Sequence, residues 1–203
     1  MAIIFKRVFD FIFSFLGLIV LLPFFILIVF LIKISSKGPA IYSHTRYGLN
    51  GKTFPAFKFR SMVLNADKVL VDFLKDNPSL KEEWEKDQKL KNDPRITRVG
   101  NFLRKTSLDE LPQLFNVLLG QMSLVGPRPI VKNEIEKYDE VYELYKSVRP
   151  GITGLWQISG RNNTTYEERV NFDKEYIENW TFFSDLIILI KTIKVVIFRE
   201  GAY

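Results

Sequence analysis

The 203-residue chain contains no cysteine, which excludes disulfides, thiolate nucleophiles and cysteine-built metal centres. It contains one histidine, His44. A Ser/His/Asp triad or a His-built zinc site would rest on that residue alone, and it lies in a stretch that reads as a hairpin. There is no Walker loop, no GxGxxG and no HExxH, so the strongest nucleotide-fold and metalloprotease signals are missing. Internal repeats and low-complexity tracts are absent too. Acidic residues are nearly missing from the front: between residues 1 and 64, Asp10 stands alone against eight Lys and Arg. That segment carries +7 in a chain whose net charge is +6, so the rest is close to neutral. A basic end suits anionic partners: nucleic acid, anionic lipid or phosphorylated substrates. A nucleic-acid binder would show a cationic stripe with interleaved aromatics on a soluble domain. Here the surplus sits beside the most apolar segment.

That segment, FIFSFLGLIVLLPFFILIVFLI at 11–32, is 22 residues long and uncharged. At about 1.5 Å per residue, a helix of this length reaches across a hydrocarbon core of roughly 30 Å. It is too long for a signal peptide, and no A-x-A-like site follows. Both flanks are basic, with Lys6 and Arg7 before it and Lys33 and Lys37 after it, a pattern that keeps both ends cytoplasmic. Pro23 sits at its middle, where it removes a backbone bond and kinks a helix. Two readings remain open from these residues. One is a re-entrant helix that bends at Pro23 and leaves on the side it entered; the other is an ordinary kinked transmembrane helix. Residues 1–37 form this membrane unit and residues 38–203 a small domain.

In the second unit, AIYSHTRYG and KTFPAFKFRS flank GLNG, which predicts a β-hairpin with Pro55 marking an edge. Pro78 divides a charged region into two helical pieces, and KEEWEKDQKLK reads as a solvated helix face. VRPGITGLWQISGRNN reads as loop, and TYEERVNFDKEYIENW as helix. Near the C-terminus, Phe183, Leu186, Ile187 and Ile190 lie at helical spacing, with Trp180 leading in. This amphipathic stretch packs in the core or lies in the membrane interface. The expected fold is mixed α/β, mostly helical, with one β-hairpin.

SLDELPQL at 107–114 places two acids, Asp109 and Glu110, side by side. Ser107 and Glu110 fit the capping-box pattern S-x-x-E, a purely structural reading. Yet Pro112 is one place too deep for a first-turn proline if Ser107 is the cap. Either the helix starts later or its first turn is irregular. Arg95, Arg98, Arg104, Lys105 and Arg128 crowd the pair. Arginine forks suit phosphate oxygens, and helix N-termini attract anions. Adjacent helical residues project about 100° apart, so the two carboxylates reach different atoms. That favours divided roles over a shared proton. A carboxylate can attack phosphorus to form an acyl phosphate, with cations and magnesium around the phosphoryl oxygens.

KFRSM (58–62), ITRVGNFLRKTSLDELPQLFNVLLGQMSLVGPRP (96–129) and RPGITGLWQISGR (149–161) resemble the bacterial sugar transferases of the monotopic phosphoglycosyl transferase family. The likeness runs from KRVFDFIFSFLGLIVLLPFF to FREGAY, essentially the whole chain. It implies a membrane-bound enzyme that moves a sugar-1-phosphate from a UDP-sugar to undecaprenyl phosphate and releases UMP. It implies Asp109 as the nucleophile of a covalent phosphosugar intermediate, Glu110 in positioning or proton transfer, and Mg2+ bound close to Asp109. Lys58, Arg60 and Arg128 match positions linked to the phosphates. Arg104, Arg149 and Asp173 are further candidates that could equally be internal salt-bridge partners. The resemblance also implies the re-entrant form of the first segment, although Leu22 stands where relatives often carry a small polar residue before the proline. Without the extra N-terminal helices and soluble domain of larger relatives, the chain looks like a minimal form. The implied location is the bacterial inner membrane, with the catalytic domain facing the cytoplasm, and the partners are UDP-sugar, undecaprenyl phosphate and lipid, without nucleic acid. The C-terminal motifs resemble members acting on hexoses such as galactose or glucose, with N-acetylated and deoxy sugars as the alternatives. The competing reading is a non-catalytic basic membrane adaptor.

Overall fold

The computed structural model describes residues 1–87, 90, 93–160 and 164–198. The first element, α1, runs Ala2–Ser35. It is the one helix among the described residues long and apolar enough to cross a membrane. Asp10, Ser14, Phe25, Ile28 and Ile32 are buried, with Gly17 against Leu114 and Leu21 against the core, so the inward residues recur every three or four positions. The opposite side leaves Phe11, Phe15, Ile19, Leu22, Ile26 and Phe30 exposed. The break expected at Pro23 is not a break in the helix. Hydrogen-bonded turns continue through the proline to Ser35. One proline removes one backbone bond, and the packing of Leu21 and Phe25 on either side holds the helix together.

The hairpin forms where the alternating pattern placed it. Strands β1 (Ile41–Tyr47) and β2 (Thr53–Phe59) pair antiparallel. Asn50 (φ 57°) and Gly51 (φ 69°) take the left-handed conformations that turn the chain. Helices α2 (Ala66–Asp76) and α3 (Pro78–Asp87) flank Asn77, as Pro78 predicts. The solvated face expected over 81–91 falls largely outside the described side chains, and Arg161 to Asn163 also lie outside the described residues. Next come α4 (Arg98–Lys105), a 3-10 turn at Leu108–Glu110, α5 (Gln113–Leu118) and β3 (Ser123–Val125). Short helices α6 (Ile135–Tyr138) and α7 (Val141–Tyr145) precede β4 (Gly151–Thr153), which pairs parallel with β3. β4 falls in the stretch whose composition reads as loop, because three-residue strands carry no periodicity. Then α8 (Leu155–Ile158), α9 (Tyr166–Glu178) and α10 (Phe182–Phe198) end the described chain.

The long helix docks along its whole length. Near its start, the Lys6 ammonium ion-pairs with Asp185 of α10, and Asp10 accepts hydrogen bonds from Ser123 Oγ and the Leu124 N–H of β3. Near its end, Phe25, Ile28 and Ile32 share a core with Ala40, Phe59 and Leu103. The Phe183/Ile187/Ile190 stripe of α10 is the outward face: Phe183 and Ile190 are 70% and 69% exposed. The inward face is Asp185, Ile188 and Val195. Both faces of α10 are apolar, so spacing alone could not tell them apart.

Candidate active site

The acidic pair is built by two reversals of the chain. Thr97 caps α4 by accepting the Gly100 N–H at 2.9 Å. Gly100 lies so close to Ser61 of the KFRSM segment that a Cβ there would collide with the Ser61 carbonyl. That contact lets Arg104 Nε donate to Ser61 Oγ at 2.8 Å. Ser107 then adopts a left-handed backbone (φ 56°) and turns the chain into the 3-10 turn that carries Asp109 and Glu110. The capping box expected from S-x-x-E does not form, since Ser107 makes no side-chain cap. Pro112 is the N-cap of α5 instead, with φ −61°, so the helix begins after the acids. The proline that fits badly inside a first turn fits well here.

Asp109 is buried, at 9% exposed, while the Glu110 side chain is 37% exposed. Lys58, at the end of β2, reaches both acids: its Nζ is 2.6 Å from Glu110 Oε1 and 4.0 Å from Asp109 Oδ2. Burial first and then the Glu110 charge push the Asp109 carboxyl up to about 6, against the pull of Lys58 and Arg104. The rise follows from burial of the Asp109 side chain within the 3-10 turn. At neutral pH it is mostly ionised, and it is more basic than an exposed aspartate.

Lys58, Arg104, Asp109 and Glu110 thus come together in the structure. Arg128 arrives by a different route. Its loop follows β3 and is held from three sides. The Gly126 N–H donates to Thr153 O, the Arg128 N–H to Asp173 Oδ2 at 3.3 Å, and Arg46 Nη1 to Pro129 O at 3.2 Å. The Arg128 guanidinium lies over Trp156, 5.1 Å from the ring centre. Arg46 was not anticipated. It lies within electrostatic reach of both Glu110 and Arg128, and burial beside Arg128 lowers its pKa. The signal was available: Tyr42, His44 and Arg46 alternate along β1 on the face that carries Lys58 across the register.

Three candidates are placed elsewhere. Arg60 is buried and donates to Lys37 O at 2.7 Å and Ser36 O at 2.9 Å, closing the C-terminal end of α1. Arg149 Nε donates to Gly120 O at 2.8 Å, just beyond α5. Asp173 is buried behind the Arg128 loop, where Tyr138 also donates to it at 2.7 Å. Burial pushes Asp173 up to about 7, opposed by the Tyr138 and Arg128 hydrogen bonds. Among the described residues no cluster of three His, Asp or Glu could hold a metal ion by itself. Magnesium keeps several waters and needs only one or two carboxylates plus substrate phosphates, a demand that Asp109 with a bound phosphate would meet.

The acidic pair thus has one buried member and one paired to a lysine, with Arg104 and Arg46 within electrostatic reach. The chain belongs to the bacterial sugar transferase family, whose sequence pattern matches residues 1–199. It is 56% identical over 198 residues to an undecaprenyl-phosphate galactose phosphotransferase of Salmonella typhimurium, covering 98% of this chain and 41% of that protein. It is 52% identical to the exopolysaccharide production protein ExoY of Sinorhizobium fredii, covering 98% of this chain and 88% of ExoY. A UDP-glucose:undecaprenyl-phosphate glucose-1-phosphate transferase of Escherichia coli is 42% identical over 98% of this chain, which spans 41% of it. The chain therefore covers less than half of two of these relatives and most of the third.

Proposed function

We propose that this chain transfers a sugar-1-phosphate from a UDP-sugar to undecaprenyl phosphate at the cytoplasmic face of a bacterial inner membrane. The observation that carries this reading is the buried Asp109 beside Lys58, Arg104 and Glu110. In the first step an Asp109 oxygen attacks the phosphorus that bears the sugar. The bond from that phosphorus to the bridging oxygen breaks, and UMP leaves with the electron pair. In the second step an oxygen of the lipid phosphate attacks the same phosphorus and releases the Asp109 carboxylate. Lys58 and Arg104 offset the charge that builds on the phosphoryl oxygens. Glu110 holds Lys58 in place and takes or returns a proton. Arg128, steadied on Trp156, reaches toward the phosphates of the donor. A magnesium ion held by Asp109 and the donor phosphates would supply further charge neutralisation.

The docked α1 supports a membrane helix that returns to the side it entered. Lys6 and Ile32 both pack on the same domain, although a helix separates them by about 39 Å at 1.5 Å per residue. A helix crossing the bilayer would carry one of these ends away from the domain. The outward faces of α1 and α10 are the surfaces that lipid would cover. Galactose and glucose in the relatives' names favour a hexose donor. Intact-protein mass spectrometry after incubation with UDP-galactose and magnesium should show a phosphosugar adduct that peptide mapping assigns to Asp109. Turnover at wild-type rate by Asp109→Ala rejects the covalent step.

A further inference from the structure

The hairpin leaves one of its edges open, and the hydrogen bonds on its other edge show which groups face outward. Asn116 closes the far edge of β2: its Oδ1 accepts the Phe57 N–H at 2.9 Å, and its Nδ2 donates to Pro55 O at 2.7 Å. Phe57 and Pro55 face Ser43 and Thr45 in the register. Since that pair of residues bonds away from β1, Ser43 and Thr45 form the non-hydrogen-bonded pairs of the ladder. Their own N–H and C=O groups therefore point away from β2. Tyr47, two residues on, confirms the direction by donating its N–H to Ile130 O at 3.0 Å. Beyond Ile130 the chain swings off the edge. Among the described residues, Ser43 and Thr45 have no main-chain partner on that side.

Val131, Lys132 and Asn133 form the facing wall, and together with Ser43, His44, Thr45 and Tyr47 they line an open groove of about 580 Å³. This is the size of a small-molecule site. Its floor is a free strand edge that offers N–H and C=O groups in alternation. A uracil ring presents the matching alternation of carbonyl oxygens and one ring N–H. The groove also lies at the right reach. Lys58 stands opposite Tyr42, and Thr45 is three residues further along β1, about 10 Å at 3.4 Å per residue. A ribose and a diphosphate fill that interval. Arg46, in contact with the Arg128 loop, flanks the path between.

We propose that this groove binds the uridine of the nucleotide-sugar donor, the base pairing with the main-chain edge at Ser43 and Thr45 while the diphosphate runs back toward Lys58. The inference rests on the reaction proposed above, and its test separates the two. Thr45→Pro removes one outward N–H and leaves the ladder bonds to β2 in place, because that N–H does not take part in them. Asn133→Trp fills the groove from the exposed wall and serves should the proline variant melt early. UMP alone is titrated calorimetrically into the purified full chain. UMP release from UDP-galactose is followed in parallel. Each variant should bind UMP about tenfold or more weakly, the worth of one hydrogen bond and its desolvated partner. KM for the donor should rise while the single-turnover rate at saturation stays near wild type. UMP affinity and KM unchanged in both variants overturn the groove and leave the reaction standing. UMP binding that both variants abolish, in a wild-type chain that releases no UMP, confirms the groove and overturns the reaction.

Discussion

Lys58 ion-pairs with Glu110 at 2.6 Å and stands back from Asp109 at 4.0 Å, so the exposed acid takes the lysine and the buried one is left basic. This division predicts the effect of Glu110→Gln. The charge that helps raise the Asp109 pKa disappears, and Lys58 is released toward Asp109. Both changes lower the pKa of the nucleophile. The acidic limb of the kcat/KM profile, near pH 6 in the wild type, should move down by about one unit. An unmoved limb would mean that Glu110 has no electrostatic hold on Asp109.

A second prediction concerns stability. The folded-state pKa of Asp109, about 6, lies above its ordinary value of 3.8. Between those values the folded state holds a proton that the unfolded chain gives up, so stability falls as pH rises from about 4 to 6. Above pH 6 the full cost of an ionised, buried carboxylate is present. Asp109→Asn should abolish turnover and also stabilise the fold by on the order of 2 kcal/mol at pH 7.5. The gap should close as the pH approaches 4. Thermal melts across that range check the sign; an Asn variant less stable than wild type at pH 7.5 contradicts it.

Much of this architecture was legible from local pattern. The apolar run, the hairpin around GLNG, the split at Pro78 and the acidic pair each announce themselves within ten to twenty residues. What escaped depends on contacts between distant segments. Arg60 sits in the same short motif as Lys58, but it lies just past the end of β2 at Phe59, and it turns to the end of α1 while Lys58 reaches the acids. Strand alternation alone would put residues 58 and 60 on one face; the end of the strand separates them. Asp10, the lone acid of the first 64 residues, reads as an anomaly and turns out to hold β3. The short parallel pair β3 and β4 has no signature, because its register is fixed by its neighbours.

Arg60 gives a third test. Its guanidinium closes the last turn of α1 through Ser36 O and Lys37 O. Arg60→Ala should lower stability by about 2–3 kcal/mol, the range of hydrogen bonds from a charged donor, with the donor KM unchanged. Arg60→Lys should recover little, because a single ammonium cannot span the two carbonyls. A rise in KM at constant stability would instead return Arg60 to the phosphates.

Asp173 should behave as a support for the Arg128 loop. Asp173→Ala leaves the Tyr138 O–H and the Arg128 N–H without their acceptor, and should cost about 1–3 kcal/mol together with a loss in kcat/KM. Asp173→Asn keeps an acceptor oxygen and should retain most of the activity. Its folded-state pKa, about 7, lies above 3.8, so ionising the buried carboxyl weakens the fold as pH climbs through that interval. The Asn variant should lose that dependence, which a pH series of melts reads directly.

The topology of α1 can be decided with the chain's own composition. It contains no cysteine, so every introduced thiol is unique. Ala2 and Lys37 flank a helix whose two ends pack on one domain. Ala2→Cys and Lys37→Cys, made separately, should both react with a membrane-impermeant maleimide in inside-out vesicles and both be protected in spheroplasts. That outcome places both ends of α1 on the cytoplasmic side, as the docking of the continuous helix on one domain implies. Reaction from opposite sides would mean that α1 crosses the bilayer, and that its docking along β2, α5 and β3 is lost when the chain inserts.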